Sequence, residues 1–241
     1  MHLCSWWGAT RYDRDYREED KMKITFISDT HGLHRQMDSS LLKGDMLIHC
    51  GDFMTDGYSL IEARDFLEWF SMVGNFKWRV LIAGNHDRLF EESPDTMGEM
   101  LDGFGNILYL QDILVNIEGI NIYGTPYQPI MNNWAFNLPR HGKELESKWA
   151  SIPDNTDILI THSPPYEVLD KVESDNIGSQ TLLDRVRKVK PKIHAFGHIH
   201  ECPGSIQKES TLFINAVQLD RDYNILNKHI TVDWTKIDES A

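Results

Sequence analysis

Aspartate, asparagine and histidine side chains follow five short apolar segments of the chain, each where an extended strand would end. In the last of these segments, "GHIH" at 197–200, the two histidines lie two positions apart and so leave an extended chain on the same face. One such pair is common at a strand end, but five segments with the same chemistry indicate a metal site. The candidate ligands are Asp29 and His31 after "ITFIS", Asp52 after "MLIHC", Asn85 after "RVLIA", His162 after "DILIT", and His198 and His200 after "IHAF".

The donor atoms of these ligands are carboxylate and amide oxygens and imidazole nitrogens, without sulfur. This set suits Mn²⁺, Fe, Zn²⁺ or Ni²⁺ and excludes a thiolate-bound structural zinc. It is too large for one open catalytic ion and suits two divalent ions that share a bridging carboxylate. Two ions about 3.5–4 Å apart can hold the attacking and the leaving oxygen of an in-line displacement. The residues therefore predict two divalent metal ions and hydrolytic chemistry.

The elements that must position these ligands are strands of two kinds. Most of the five segments are continuous apolar runs, which are typical of strands buried on both faces. A second group, "ILVNIE", "INIYG", "TLFINA" and "HITVDW", alternates between apolar and polar residues and predicts a second, antiparallel layer. Because ligands of α/β sheets collect at the carboxyl ends of the strands, the site is expected there.

Two helices are predicted between the strands. Ser59 and Glu62 form a capping-box pattern at the start of "SLIEARDFLEWFSMV", whose apolar residues recur at helical spacing until Gly74. The segment "SQTLLDRVRKV" (179–189) has the same periodicity and ends before Pro191. Strands that alternate with helices predict an α/β domain in which helices cover the sheets.

Composition excludes several classes of protein. The net charge of −13 is a poor match for a protein that follows a long nucleic acid backbone. The chain has no apolar run of membrane-spanning length, its first residues lack the apolar core of a signal peptide, and its three cysteines form no disulfide framework. We expect a cytoplasmic protein with no membrane partner.

The domain organisation follows from where the first strand begins. The segment "MKITFISDTH" from Met22 is typical of a domain start, whereas residues 1–21 carry mixed charge without apolar periodicity. We expect residues 1–21 to be an N-terminal extension, which could be flexible in solution, and residues 22–241 to form one domain. The sequence is compatible with a homodimer.

The motifs "DTH", "GD", "GNHD", a single histidine after a strand, and "GHIH" resemble, in order and spacing, those of the calcineurin-like metallophosphoesterases. The resemblance extends over residues 22–235. Outside the motifs, "YGTPYQP", "NNWAFNLPR" and "THSPP" are similar to the small metallophosphoesterase-domain proteins related to class III cyclic-nucleotide phosphodiesterases. This resemblance implies a two-sheet β-sandwich flanked by helices, the four-layer αββα fold.

The resemblance also implies a role for each motif residue. Asp29, His31 and His200 would bind the first ion, Asp52 would bridge, and the second ion would be bound by Asn85, His162 and His198. His86 would be a catalytic residue that assists the leaving group, and Asp87 would orient it. Many phosphatases of the superfamily have a second Asp three residues after the bridging one; this position is Thr55 here, and Asp56 has no assigned role. Tyr127, Trp134 and Arg140 lie in family-like loops and are candidates for substrate contact.

These features predict a two-metal phosphodiesterase in which a metal-bridging hydroxide attacks phosphorus. The expected substrate is a small phosphodiester such as a cyclic nucleotide, because the site charge balances a monoanion. A phosphomonoesterase or protein phosphatase on the same site is the alternative enzyme. A metal-binding scaffold without turnover is the alternative from another class of protein.

Overall fold

The computed structural model describes residues 22–226 and 228–238, so the predicted extension at 1–21 lies outside the described residues. The strands are β1 (Lys23–Ile27), β2 (Met46–His49), β3 (Trp78–Leu81), β4 (Ile107–Tyr109), β5 (Ile113–Ile117), β6 (Ile120–Thr125), β7 (Gln128–Pro129), β8 (Asn137–Leu138), β9 (Ile158–Thr161), β10 (Lys171–Val172), β11 (Asp175–Asn176), β12 (Ile193–Phe196), β13 (Gly204–Lys208), β14 (Thr211–Asn215) and β15 (Ile230–Asp233). The helices are α1 (Leu60–Met72), α2 (Arg88–Glu92), α3 (Pro94–Asp102), α4 (Lys143–Ala150), α5 (Gln180–Val189) and α6 (Trp234–Asp238), with 3-10 turns at His34–Gln36 and Ser39–Leu41.

The described strands form two main sheets. The five-stranded sheet has the order β15-β1-β2-β3-β4 and is parallel except for β15. The six-stranded sheet has the order β13-β14-β12-β9-β6-β5 and is parallel in its centre, with antiparallel pairs at both edges. The described strands also form two short two-stranded sheets, β7 with β8 and β10 with β11.

The two sheets face each other across one apolar cluster. Phe26 and Ile48 of the five-stranded sheet and Ile122 and Ile160 of the six-stranded sheet are fully buried in this cluster. Because β1, β2 and β9 are also covered by helices on their outer faces, they read as continuous apolar runs, as the sequence predicted. Ile122 belongs to β6, one of the strands that the sequence showed as alternating.

Helices cover the outer face of each sheet. Leu47 and Leu81 of the five-stranded sheet share a buried cluster with Phe66 and Phe70 of α1. On the other side, the six-stranded sheet shares a buried cluster with α4 and α5, in which Trp149 is the largest side chain. The order of layers is therefore helix, sheet, sheet, helix, which confirms the αββα expectation.

Both predicted helices are present at the expected positions. The Ser59 hydroxyl accepts a hydrogen bond from the backbone N–H of Glu62 at 3.2 Å, and α1 ends at Met72, before Gly74 with φ +60°. Ser179 caps α5 in the same way, through Leu182 N–H. Among the described residues no helix combines the length and the apolar character that a bilayer crossing requires.

The prediction of which strands share a layer was wrong in two respects. "HITVDW" contains β15, which pairs antiparallel with β1 in the five-stranded sheet rather than in the second layer. "DILIT" and "IHAF" contain β9 and β12, which belong to the six-stranded sheet together with the alternating strands. Apolar periodicity reports how much of a strand is buried, but it does not report which strand lies beside it.

The sheets are joined at the ends where the candidate ligands lie. Ser28, which continues β1, forms a parallel bridge with Val217, which follows β14. The backbone N–H of Gln218 donates to the Ser28 carbonyl at 3.0 Å. The loops after β1, β2 and β3 therefore face those after β9 and β12 across this seam.

Candidate metal centre

The backbone of four candidate ligands lies in the left-handed region. The φ angles are +53° at Asp29, +38° at His31, +57° at Asp52 and +69° at His198. A non-glycine residue in a sparsely populated conformation costs on the order of 1–3 kcal/mol, and such residues cluster at functional sites. The fold therefore holds these side chains in directions that a relaxed strand end would not give them.

Two glycines allow the chain to approach the carboxylates closely. A Cβ atom at Gly197 would lie 2.0 Å from Asp29 Oδ2, and one at Gly84 would lie 2.3 Å from Asp52 Oδ1. Both distances are far below van der Waals contact. The glycines of "GHIH" and "GNHD" are required because a side chain would occupy the position of the carboxylate.

The first group of ligands comprises Asp29, His31 and His200, whose ligand atoms lie within 4.8 Å of one another. Asp29 Oδ1 lies 3.8 Å from His31 Nε2 and 3.4 Å from His200 Nε2. The backbone N–H of His198 also donates to both oxygens of the Asp29 carboxylate, at 3.1 and 3.0 Å. Asp29 thereby ties the loop after β1 to the loop after β12.

The second group comprises Asp52, His162 and His198, again within 4.8 Å. His162 Nε2 lies 3.2 Å from Asp52 Oδ2 and 3.1 Å from the side-chain oxygen of Asn85. The rings of His162 and His198 are 5.0 Å apart. Six of the seven predicted ligands therefore form these two groups, and the seventh, Asn85, contacts the second group through His162.

Asp52 lies between the two groups. Its Oδ2 atom is 3.8 Å from His31 Nε2 on one side and 3.2 Å from His162 Nε2 on the other. A third group, formed by His31, Asp52 and His86, overlaps both of the others. This is the position that a bridging carboxylate would occupy.

Backbone carbonyls orient the rings of three of the four candidate ligand histidines. His31 Nδ1 bonds to the Met54 carbonyl at 3.3 Å and His162 Nδ1 to the Cys50 carbonyl at 2.9 Å. His200 Nδ1 bonds to the Asp220 carbonyl at 3.1 Å. A carbonyl can only accept, so each Nδ1 carries the proton, and each Nε2 is directed at the carboxylates.

One observation at this site shows that its residues fit metal ions. Among the described residues, His31 Nε2 is buried and has no hydrogen-bond partner, although it lies between the carboxylates of Asp29 and Asp52. A buried ring nitrogen without a partner is costly unless it binds a cation. The oxygen and imidazole donors also match the ions expected from the sequence.

Burial and the carboxylate charges divide the histidines into two classes. Burial lowers the pKa of His31 to about 4 and that of His198 to about 3, so both rings are neutral. Burial acts in the same direction on His162, but the charge of Asp52 and the hydrogen bond to it outweigh this effect and raise the pKa to about 9. Asp29 does the same for His200, whose pKa is also raised to about 9. Without metal, two protons therefore offset the two carboxylates.

His86 lies against the centre and is held by contacts with four residues. Its backbone N–H donates to Asp52 Oδ1 at 2.7 Å, and its ring Nδ1 donates to the Thr55 carbonyl. The ring stacks on Trp134 with centroids 3.9 Å apart and meets the edge of His31 at 4.6 Å. Because Nδ1 is engaged, Nε2 is the nitrogen that remains for chemistry at the centre.

Comparison with known proteins identifies this arrangement. The family described as calcineurin-like phosphoesterase matches residues 22–202, which include every candidate metal ligand. The chain belongs to the calcineurin-like phosphoesterase family. As a member, it is a metal-dependent phosphoric ester hydrolase.

Relatives of known sequence support the assignment. Metallophosphoesterase domain-containing protein 1 of Homo sapiens is 36% identical over 234 residues, covering 88% of this chain and 70% of the human protein. UPF0046 protein K07C11.7 of Caenorhabditis elegans is 33% identical over 224 residues, covering 87% of this chain and 74% of the nematode protein. The crystal structure of TT1561 of Thermus thermophilus superimposes with a TM-score of 0.61 at 13% identity, covering 88% of this chain and 99% of that one, which shows that the fold is shared.

Asp87 differs from its predicted role in this phosphoesterase. Its described hydrogen bonds go not to the His86 ring but to four backbone N–H groups, those of Gly84 at 2.7 Å, Asp52 at 2.8 Å, Phe53 at 3.1 Å and Met54 at 2.9 Å, from which the carboxylate accepts. Asp87 therefore fixes the loop that carries Asp52. The side chain is fully buried and does not cap α2, which begins directly after it, so both carboxylate oxygens are available to these N–H groups.

Of the three predicted substrate-contact residues, Trp134 alone packs on a residue of the centre, through its stacking on His86. Tyr127 packs on Phe136, and the centroid of its ring lies 3.8 Å from Lys148 Nζ. Arg140 donates to the carbonyls of Ile177 and Gly178 at 3.0 Å. The described contacts of Tyr127 and Arg140 are thus with α4 and the surrounding loops rather than with the candidate metal ligands.

The sequence missed two sets of residues around the centre. Thr55 N–H and Oγ1 both donate to Glu62 Oε1, at 2.7 and 2.6 Å, which fixes the carbonyl that holds His86. The segment around Asp220 and Tyr223 also reaches the centre, although it lies after the last motif. The capping-box pattern did point to Glu62, although in such a box its side chain would bond to Ser59. Nothing in the sequence pointed to the segment around Asp220 and Tyr223.

Proposed function

We propose that this phosphoesterase is a two-metal phosphodiesterase that hydrolyses small phosphodiesters, in particular cyclic nucleotides. The observation that carries the proposal is the position of Asp52 Oδ2 between His31 Nε2 and His162 Nε2, at 3.8 and 3.2 Å. One oxygen flanked by two imidazole nitrogens, each belonging to a separate group of donors, supports a pair of ions that share this carboxylate.

Each ion would have its own ligands in addition to Asp52. Asp29, His31 and His200 would hold the first ion, and Asn85, His162 and His198 would hold the second. Two bound divalent ions supply Lewis acidity, which lowers the pKa of a water nucleophile and stabilises charge on the phosphoryl oxygens. Asp29 and Asp52 reduce the net charge of the loaded centre.

His86 would donate the proton that the leaving oxygen needs. Its Nδ1–H is committed to the Thr55 carbonyl, so a second proton can reside only on Nε2. Loss of that proton to the leaving oxygen returns the ring to the neutral form with hydrogen on Nδ1, and the bond to Thr55 is retained throughout. Trp134 and His31 keep the ring in place during the transfer.

Charge favours a diester over a monoester. Two divalent ions bring about +4 and two carboxylates about −2, and an anionic nucleophile leaves about +1, which matches a diester monoanion. A monoester dianion would favour a further side-chain cation. The motif loops offer Arg88 and Arg140 as candidates, and both are engaged elsewhere: Arg88 with Glu92 and the Asn133 carbonyl, and Arg140 with two carbonyls.

The test compares kcat/KM for a 2′,3′-cyclic nucleotide, a bis-nitrophenyl diester and a nitrophenyl monoester, with Mn²⁺, Fe²⁺, Ni²⁺ and Zn²⁺ in turn. We expect both diesters to be preferred with at least one metal. A monoester preference of tenfold or more would replace the proposal with a phosphatase. Metal binding without turnover of any ester would replace it with a scaffold.

A further inference from the structure

The segment after β14 forms a closed turn beside the metal centre. The Asp220 carboxylate accepts from the backbone N–H groups of Asp222 and Asn224, at 2.9 and 2.8 Å, and from the side-chain amide of Asn224. The Asp220 N–H donates to the Asn224 carbonyl at 2.9 Å. A turn with this many internal hydrogen bonds holds its tip in a defined position.

One carbonyl connects the turn to a metal ligand. The Asp220 carbonyl accepts from His200 Nδ1 at 3.1 Å and from the backbone N–H of Tyr223 at 2.9 Å. The position of Tyr223 is therefore set relative to His200. Tyr223 itself has φ +62°, so the turn holds it in a conformation that a tyrosine does not favour.

The Tyr223 ring covers one half of the centre. Its centroid lies 5.0 Å from that of His31 and 5.4 Å from that of His200, the two imidazoles of the first group. Even so, 47% of the residue is exposed. The ring thus contacts the ligands with one part and presents the remainder to solvent at the entrance.

Trp134, the aromatic residue on the other side of the centre, is less available for contact with a substrate. Trp134 stacks on His86 and has the Arg88 guanidinium 5.2 Å from its ring centroid. Its contacts therefore serve to position His86. Within residues 22–226 and 228–238, Tyr223 is the aromatic side chain that combines contact with the candidate metal ligands and open surface.

We propose that Tyr223 is a specificity-determining residue whose ring stacks on the nucleobase of a substrate while its phosphodiester lies at the metal centre. This inference rests on the proposed diesterase function. Tyr223 follows residue 202, where the match to the family ends, so the family motifs do not assign it. Aromatic rings bind bases in general through their π-face, so the contact favours nucleotides over base-free esters without selecting one base.

The experiment removes either the ring or the hydroxyl and uses substrates with and without a base. The variants are Tyr223→Leu and Tyr223→Phe, and the matched control is Tyr58→Leu. Tyr58 is also exposed, to 62%, but it contacts Arg88 rather than a metal ligand. The substrates are adenosine 2′,3′-cyclic phosphate and methyl riboside 2′,3′-cyclic phosphate, which share the reacting group and differ by the base. Metal content is measured for every protein.

Base stacking predicts that Tyr223→Leu lowers kcat/KM for the adenosine substrate by about 5- to 150-fold, mainly through KM. The same variant should change kcat/KM for the base-free substrate by less than about twofold, and Tyr223→Phe should behave as the parent.

Equal losses on both substrates, or a lower metal content, would overturn the inference and make Tyr223 a support for His31 and His200. A loss in Tyr223→Phe as large as in Tyr223→Leu would assign the effect to the hydroxyl, and an equal loss in Tyr58→Leu would show that the effect is not specific to Tyr223. Either result also overturns the inference.

A binding measurement separates this inference from the proposed function. Calorimetry on the metal-loaded protein compares adenosine 3′-monophosphate, a product of the proposed reaction, with ribose 5-phosphate. If the parent binds the nucleotide more tightly and Tyr223→Leu removes that difference, stacking on Tyr223 is supported even if no diester is hydrolysed. If the parent hydrolyses diesters but binds both phosphates equally, the diesterase proposal stands and the stacking inference fails.

Discussion

Replacement of Asp87 by asparagine tests the claim that this carboxylate holds the Asp52 loop. Oδ1 accepts from the backbone N–H groups of Phe53 and Met54, and Oδ2 accepts from those of Asp52 and Gly84. Asparagine keeps one acceptor oxygen, so one pair of hydrogen bonds survives. The other pair of N–H groups would face the amide NH₂, which is itself a donor.

The magnitude follows from the two lost bonds. Each of the two buried N–H groups left without an acceptor costs about 1–3 kcal/mol, so Asp87→Asn should lower the free energy of unfolding by about 2–6 kcal/mol. This is a large part of the roughly 5–15 kcal/mol that stabilises a typical domain. Because Asp52 has φ +57°, release of its loop should also weaken metal binding.

The assay is urea unfolding of the metal-free protein, followed by circular dichroism, together with metal analysis after reloading. Asp56→Asn is the matched control, since Asp56 lies in the same loop but is exposed; its effect should stay within about 0.5 kcal/mol. A change below about 1 kcal/mol in Asp87→Asn, with full metal content, would refute the reasoning. If turnover fell while the free energy of unfolding and the metal content stayed unchanged, the result would indicate that Asp87 acts on His86.

Three further outcomes are expected. His198→Ala should reduce the metal content from two ions to one, and an unchanged content of one ion in both proteins would contradict the two-ion proposal. His86→Ala should keep its metal but lose about 10²–10⁴-fold in kcat on a substrate with an alkoxide leaving group and much less on a nitrophenyl ester; equal losses on both would show that His86 donates no proton. The pKa values of His162 and His200, raised to about 9, contribute stability that is fully present below pH 6.5 and is lost as the pH rises through 9. The Tm of metal-free protein should therefore fall between pH 6.5 and 9 while its affinity for added Mn²⁺ rises, and a Tm that is constant over this range would contradict the assigned ion pairs.

Local sequence patterns were sufficient to predict much of the structure of this protein. Continuous apolar runs identified the buried strands, and the Ser59 and Ser179 patterns placed the starts of α1 and α5, because burial and capping depend on residues close together in the chain. The candidate metal ligands were also recognisable, since each lies within four residues after the end of a strand and the type of its donor atom is a property of the residue itself. The requirement for glycine before His198 is by contrast tertiary, because a Cβ there would collide with Ser28 and Asp29 after β1.

Tertiary structure alone decided which strands share a sheet and what surrounds the ligands. β15 pairs with β1 across about 200 residues of chain, and His162 Nδ1 bonds to the Cys50 carbonyl 112 residues away. Neither Asp87 nor Tyr223 carries a local signal of its role, because each acts on a segment that is brought near by the packing of whole sheets and loops. Periodicity records whether a residue is buried, whereas its partner is selected by the three-dimensional arrangement in which all these contacts can form at once.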